Sequence, residues 1–232
     1  MIEAAAACRN RLIAALPDDT LERWLPHLHV EEMRLGAEVY TSHADGDSVH
    51  FPTTSLVSLL HVMADGASAE IAVIGNDGVV GTSLLMGGRA NAMYYVVQGA
   101  GSAYRLPADF LAREMKHGGA VMRLMLRAIQ ALISQMAQTA ACNRHHRIEQ
   151  QLCRWLLLSL DRTEGTELLM TQELISNMLG VRREGVAQAA ANLQRMGAIR
   201  YVRGHIAVLD RKLLEACSCE CYSALKQQLT DL

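Results

Sequence analysis

Apolar residues recur at helical spacing on both sides of Gly180, across the stretch Thr171 to Ile199. Thr171 is a good N-cap, and Gln172 and Glu173 place polar and acidic groups in a first turn. Leu174, Ile175, Met178 and Leu179 then share one face. Gly180 suits the left-handed residue that ends a helix. Beyond it Val186, Ala189, Ala190 and Leu193 predict a second helix with its core face. Arg183, Glu184, Ala187, Gln188, Ala191 and Arg195 fall near the opposite face, and Gly197 closes the helix. Ile199 to Leu209 alternates as two β-rich runs around Gly204, which predicts a hairpin carrying Arg200, Arg203 and His205. Upstream, Ile148, Leu152, Trp155, Leu156 and Ser159 form the inward face of a helix from His146 to Asp161. Arg211 to Ala216 reads as a last helical turn, followed by a helical, peripheral tail to Leu232.

The N-terminal half has another rhythm. Residues 18 to 30 predict a short helix interrupted at Pro26. From Val30 to Leu106 short β runs alternate with turns: Glu38 to Tyr40, Ser55 to Met63, Glu70 to Ile74 and Met93 to Val97. Ala64-Asp65-Gly66-Ala67 is a hairpin signal. Many short strands at close spacing imply a sandwich or barrel. Gly75 to Gly81 breaks the pattern. A short helix follows over Leu106 to Met115, then a hinge at Gly118-Gly119. A long helix from about Ala120 to Ala141 carries a broad apolar stripe of Val121, Leu124, Met125, Ala128, Ile129, Leu132, Ile133, Met136 and Ala140. That stripe has two uses, packing on its own β domain and pairing with a second chain. The segments are therefore 18–117 (β domain), 118–142 (long helix), 143–216 (helix–turn–helix with hairpin) and 217–232 (tail).

Composition narrows the function. The 232 residues are 50% hydrophobic with a formal charge of -2, enough for two modest domains or one large one. Residues 143–212 hold 11 Lys/Arg against 7 Asp/Glu, a balance of +4, whereas residues 1–118 hold 8 against 14, a balance of -6. A basic segment beside an acidic one fits a nucleic-acid-binding domain joined to a domain with another task. No 18-residue apolar run exists, and Glu3 with no basic region ahead argues against a signal peptide, so a cytoplasmic location is expected. No nucleophile motif, phosphate loop or metal set is evident, so an enzyme is not expected. The run Cys217-Ser218-Cys219-Glu220-Cys221 invites a metal, but alternate residues on one strand or loop rarely bring three sulfurs onto one tetrahedral ion. No C-x-x-C pair completes it. Cys142, His145 and His146 read as polar residues at a helix break. Free thiols and no metal are the expectation.

A helix–turn–helix followed by a cationic hairpin is a winged arrangement. Its second helix can enter a major groove while the wing lies beside phosphates. The order of β domain, long helix and winged helix–turn–helix resembles the Crp/Fnr family of bacterial transcription regulators over roughly residues 20 to 215. The most specific matches are T-Q-E-L at 171–174, L-G-V-R-R-E-G-V at 179–186, L-Q at 193–194, G-A-I at 197–199 and R-G-H-I at 203–206. The resemblance implies an α+β fold with an N-terminal double-stranded β-helix or jelly roll like that of cyclic-nucleotide-binding domains. It also implies a dimerisation helix and a C-terminal winged helix–turn–helix.

By the same resemblance the partners are double-stranded DNA, a second copy of the chain and RNA polymerase, and the β domain senses an unidentified small-molecule effector or none. The DNA-facing residues are Thr171, Gln172, Arg182, Arg183, Glu184, Gln188 and Arg203. The dimer contact falls on Val121, Leu124, Met125, Ala128, Leu132 and Met136. Arg183 and Glu184 match the family's base-reading Arg-Glu pair, and Gln188 stands where many members carry another Arg. The nucleotide cassette is altered. The Gly-Glu is absent near Asn76 to Gly81, and Arg-Ser has become Arg89-Ala90. Gly78, Gly81 and Arg89 are the remaining effector-site candidates, and no tight binding of cyclic AMP or cyclic GMP is expected. The N-terminal cysteine cluster of iron–sulfur members is missing, since only Cys8 lies there. No motif supports a haem role for His27, His29, His43, His50 or His61. A second reading is a cyclic-nucleotide-binding module whose C-terminal helices contact protein.

Overall fold

The N-terminal core is closed by one fully buried asparagine. Asn10 Oδ1 accepts from the Leu12 and Ile13 amides and caps a short helix. Its Nδ2 donates to the carbonyls of Pro52 at 2.8 Å and Gly78 at 3.0 Å. Every polar atom of a buried amide is thus satisfied, as burial requires. The computed structural model describes residues 4–39, 42–43, 46–87, 94–163 and 165–230. The chain divides into two compact units. One comprises the residues up to Leu59 together with Ile74–Ile133, the other Leu60–Val73 together with the residues from Ser134 onward.

In the first unit, helices α1 (Ala4–Ala7), α2 (Arg11–Ala14) and α3 (Asp18–Trp24) lead through a 3₁₀ turn at Leu25–His27 into β1 (His29–Met33). The helix expected over 18 to 30 therefore stops early. Pro26 cannot continue an α-helical ladder, and His29 and Val30 pair as strand with Arg105 and Tyr104. Strands β2 (Ser42–His43), β3 (Gly46–Pro52), β4 (Leu56–Val62), β5 (Ser68–Ile74), β6 (Tyr94–Gly99) and β7 (Gly101–Pro107) follow, of which the end of β4 and nearly all of β5 fall in the stretch counted with the second unit. A four-residue helix α4 (Thr82–Leu85) lies between β5 and β6. They form two sheets, in the orders β1-β7-β3-β2 and β5-β4-β6. Antiparallel pairing brings Val49 opposite Leu106 and Phe51 opposite Tyr104. Gly101 makes one crossing feasible: a Cβ there would lie 2.6 Å from the backbone of Thr54 and Ser55.

Helix α5 (Ala108–Lys116) starts two residues later than expected, because Leu106 and Pro107 remain in β7. Gly118 and Gly119, both at positive φ, turn the chain into α6 (Gly119–His145). Trp24, Phe51, Leu106, Leu111, Val121, Leu124, Met125 and Ala128 share one apolar core. The Trp24 and Phe51 rings sit 5.9 Å apart at a tilt of 60°, and the Trp24 indole N–H donates to Glu114 at 3.3 Å.

This packing corrects the expected dimer contact. Val121, Leu124, Met125 and Ala128 are buried within their own unit, so they offer no surface to a second chain. Leu132 and Met136 are half-buried. The apolar side chains that α6 leaves open are Leu126, 53% exposed, and Ile133, 58% exposed.

In the second unit α6 ends at His145, four residues beyond the sequence expectation. The His146 amide still bonds to the Cys142 carbonyl at 3.0 Å. Arg147 is extended, and α7 (Ile148–Leu160) begins. The buried Gln151 amide donates to the His146 carbonyl at 2.8 Å, which satisfies a group left over where α6 stops. Most of α7 is buried. Its Trp155 donates to Glu70 of the β4–β5 hairpin at 2.9 Å. Strand β8 (Glu167–Leu169), helices α8 (Gln172–Leu179) and α9 (Arg183–Arg195), strands β9 (Ile199–Val202) and β10 (His205–Val208), and helices α10 (Arg211–Cys217) and α11 (Glu220–Thr230) complete the chain. The tail is helical, as expected, but it is packed rather than peripheral. Cys221, Tyr222 and Leu225 are buried, and Tyr222 Oη donates to Asp161 at the end of α7 at 3.0 Å.

Candidate nucleic-acid interface

The geometry around Gly180 follows from local chemistry. Thr171 Oγ1 accepts from the Leu174 amide at 3.1 Å, so α8 starts where a side chain satisfies a free N–H. Gly180 closes the helix in the left-handed conformation, φ 63° and ψ 34°. A residue with a Cβ would be strained there. Arg182 is extended and caps α9, which buries Val186, Ala189, Ala190 and Leu193. Arg182, Arg183 and Glu184 are all exposed in or before its first turn. A helix N-terminus carries partial positive charge, and the two guanidiniums add to it.

Gln188 is exposed but engaged. Its Nε2 donates to Asn192 Oδ1 at 3.0 Å, Arg195 donates to the same oxygen at 3.1 Å, and Asn192 donates to Glu149 at 3.0 Å. This chain of bonds joins α9 to Glu149 of α7. Arg183 and Glu184, in the first turn of α9, take no part in it.

Strands β9 and β10 join through Arg203 and Gly204 in a three-stranded sheet of order β8-β10-β9. Strand β8 escaped the sequence reading because it is only three residues long. Arg203 takes φ 49° and Gly204 φ 82°, the pattern of a two-residue primed turn. Arginine at positive φ is costly by about 1 kcal/mol, so another residue would hold this tip more comfortably. The tip is nevertheless well anchored. The Met170 amide donates to the Gly204 carbonyl at 2.6 Å, and Tyr201 Oη donates to the Met170 carbonyl at 2.8 Å. The Tyr201 amide donates to Gln194 Oε1 at 2.7 Å, which ties the wing to α9. Burial pushes the Tyr201 hydroxyl up, while the positive charge of Arg183 pulls the other way. Thr171, at the start of α8, and Arg203, at the wing tip, are therefore brought together around Met170 and Gly204. Gln172 follows Thr171 and is half-buried.

The effector candidates fare differently. Gly78 packs against Ile74, where a Cβ would lie 2.8 Å from Ile74 Cγ2. Gly81, at φ 94°, caps α4. Asp77 is buried, and its carboxylate accepts from the Gly75 amide at 3.3 Å, holding the turn together. Arg89 and Ala90 lie outside the described residues. Of the histidines, His50 is buried and its Nε2 stands 3.2 Å from Glu31. No helix among the described residues is long and apolar enough to cross a membrane.

These features define a class: a β-roll, a long helix and a winged helix–turn–helix. Residues 150–217 match the Crp-like helix-turn-helix domain family. Solved structures share the fold of nearly the whole chain. A Crp/Fnr-family protein from Eubacterium rectale aligns with TM-score 0.67 and 16% identity, covering 90% of this chain and 98% of its own. FixK2 from Bradyrhizobium japonicum aligns with TM-score 0.64 and 16% identity, covering 83% and 98%. The c-di-GMP-responsive global regulator CLP from Xanthomonas campestris aligns with TM-score 0.62 and 14% identity, covering 84% and 100%. A search of curated proteins finds no match. The chain carries a Crp-like helix-turn-helix domain within a Crp/Fnr-type fold.

Proposed function

We propose that this protein is a sequence-specific DNA-binding transcription regulator of the Crp/Fnr type that acts as a homodimer. The observation that carries the reading is the exposed Arg182-Arg183-Glu184 turn of α9, set beside a wing whose Arg203-Gly204 tip is anchored through the Gly204 carbonyl. An arginine can hold guanine O6 and N7 together, and a glutamate can accept from cytosine N4. Arg203, Arg200 and His205 supply the sequence-independent contact with phosphate. Selection of bound duplexes from a random library by the full-length protein tests this. A two-fold symmetric consensus is expected. Recovery of no sequence preference would defeat it in favour of a module whose C-terminal helices contact protein.

The strained wing tip sharpens the prediction. Arg203→Ala should weaken binding to specific and random duplexes alike and lower the salt slope of log K by about one. Arg203→Gly should do the same while stabilising the fold by up to about 1 kcal/mol, because glycine accepts positive φ freely. Anisotropy across a salt series and a thermal melt read the two effects separately. A destabilised glycine variant would count against the strain.

The homodimer rests on α6. Leu126, Ile133 and Ala140 follow one another at seven-residue spacing, which is the repeat of a coiled-coil seam. All three are exposed.

The β-roll of this reading does not take cyclic AMP or cyclic GMP tightly. A nucleotide ribose needs a free acceptor, whereas Asp77 is buried and spends an oxygen on the Gly75 amide. Calorimetry with each nucleotide should give no heat of tight binding, and specific DNA binding should appear without either. Micromolar binding of cyclic AMP that Arg89→Ala abolishes would overturn this.

A further inference from the structure

Four side chains from two distant stretches of sequence meet at the end of α6. Cys142 lies in its last turns and His146 just beyond it. Cys219 sits in the link between α10 and α11, and Cys221 in the first turn of α11. Three Sγ atoms and one imidazole nitrogen all lie within 4.8 Å of one another. Cys142 Sγ is 3.6 Å from Cys219 Sγ, and Cys221 Sγ is 3.5 Å from His146 Nδ1. A tetrahedral zinc-class ion, with metal–sulfur bonds of about 2.3 Å and metal–nitrogen bonds of about 2.0–2.1 Å, needs sulfur–sulfur edges of about 3.8 Å and sulfur–nitrogen edges of about 3.5 Å. Both edges, 3.6 Å and 3.5 Å, are close to that geometry.

The surroundings agree. The three cysteines are buried and form a small cluster of their own, so the site is closed, as structural sites are. His146 turns its Nε2 toward Glu220, 3.3 Å away. A proton on Nε2 donated to that carboxylate leaves the Nδ1 lone pair for the sulfur cluster. Metal-binding histidines are oriented by such a carboxylate behind the ring. The buried Arg154 acts electrostatically on Cys142 and would offset the negative charge of three thiolates around a divalent ion. Simple apolar packing of thiols explains neither the inward nitrogen nor the carboxylate behind it. A Cys142–Cys219 disulfide would leave Cys221 and His146 without a role.

The cluster also corrects the sequence reading. Only two members of the C-x-C-x-C run converge, and they sit on a helix link and a helix rather than on one strand. The remaining two ligands come from the α6–α7 junction, with His146 rather than His145 taking part.

We propose that Cys142, His146, Cys219 and Cys221 bind a tetrahedral, thiolate-preferring divalent cation of the zinc class. It fastens α11 and the α10–α11 link to the α6–α7 junction. The test is cobalt substitution in the full-length protein, stripped with a chelator under reducing conditions and titrated without oxygen. One equivalent of Co(II) should give thiolate-to-cobalt charge-transfer absorption and the intense visible bands of a tetrahedral site, and Zn(II) should displace it. Zn(II) should also raise the unfolding midpoint of the wild type, since a ligand of the native state alone stabilises it. Cys142→Ser and Cys219→Ser should lose the bands. Cys217→Ser, in the same cysteine run but outside the cluster, should keep them. Absence of cobalt uptake by the reduced wild type would overturn the proposal. So would a weak octahedral spectrum, or equal loss in Cys217→Ser. A Cys142–Cys219 disulfide in protein alkylated inside intact cells would replace it with a redox pair. Metal uptake is read without DNA, so its failure leaves the regulator reading standing.

Discussion

Ile133→Glu is expected to convert the full-length protein from dimer to monomer and to weaken its binding to a two-fold symmetric DNA site by about 100-fold or more. Ile133 is 58% exposed on α6 and follows Leu126, 53% exposed, at seven-residue spacing. Burying one such side chain against a partner stabilises by about 1.5–3 kcal/mol. A two-fold axis presents every contact twice, so losing both copies costs roughly 3–6 kcal/mol. By the tenfold-per-1.4 kcal/mol relation that is on the order of 10²–10⁴ in dimer dissociation. Two carboxylates would then face each other in place of two apolar groups. A monomer reaches one half-site and loses the linked gain of the second. Met125→Ala is the counter-case. Met125 is fully buried in its own unit's core, so its loss should cost about 2–5 kcal/mol of folding stability while the remaining folded protein stays dimeric. Light scattering and a denaturant melt separate the two variants. An unchanged mass for Ile133→Glu would remove α6 from the interface.

These expectations invert part of what the sequence alone suggested, for a physical reason. The stripe on α6 is broad enough to be read as one face, but periodicity does not say what covers it. Val121, Leu124, Met125 and Ala128 turned out to meet the N-terminal core. The positions open to a partner are offset around the helix. The helix–turn–helix was legible because its signals are local: a capping threonine, a left-handed glycine and apolar residues three and four apart. Strands β3 and β7 were not, although they are central to their sheet. β3 carries Asp47, and both Ser48 and His50 are buried, which breaks the alternation on which strand reading depends. β1 was hidden because Leu25 and Leu28 extend the helical spacing past Pro26.

The candidate sites divide along the same line. The residues proposed to face DNA lie within some thirty consecutive positions, so sequence spacing alone groups them on shared faces. Cys142 and Cys219 are 77 positions apart, and their meeting depends on where α6 ends and how α11 folds back onto α7. The sequence did hold one usable clue, the pairing of a Cys-His segment at a helix break with a second cysteine-rich segment. Reading each alone concealed it.

Arg183→Ala is expected to cost about 1–3 kcal/mol of specific affinity, roughly 5- to 150-fold, and to relax the preference at one base pair in each half-site. The argument is positional. Arg183 opens α9, is exposed, and makes no hydrogen bond within the wing that would hold it away from DNA; the bonds that anchor the wing come from Met170, Tyr201 and Gln194. Gln188, one turn further, is already bonded to Asn192, which is bonded in turn to Glu149. Reaching a base with Gln188 would mean giving up that bond. Gln188→Ala should therefore cost less than Arg183→Ala, and a preference lost with Arg183 should not be recovered through Gln188. The comparison needs the selected consensus duplex, one substituted at a single base pair, and a random duplex, all at one salt concentration. If Arg183→Ala lowered affinity equally for all three, Arg183 would be a phosphate contact like Arg203, and the base-reading role would pass to Glu184 or Gln188.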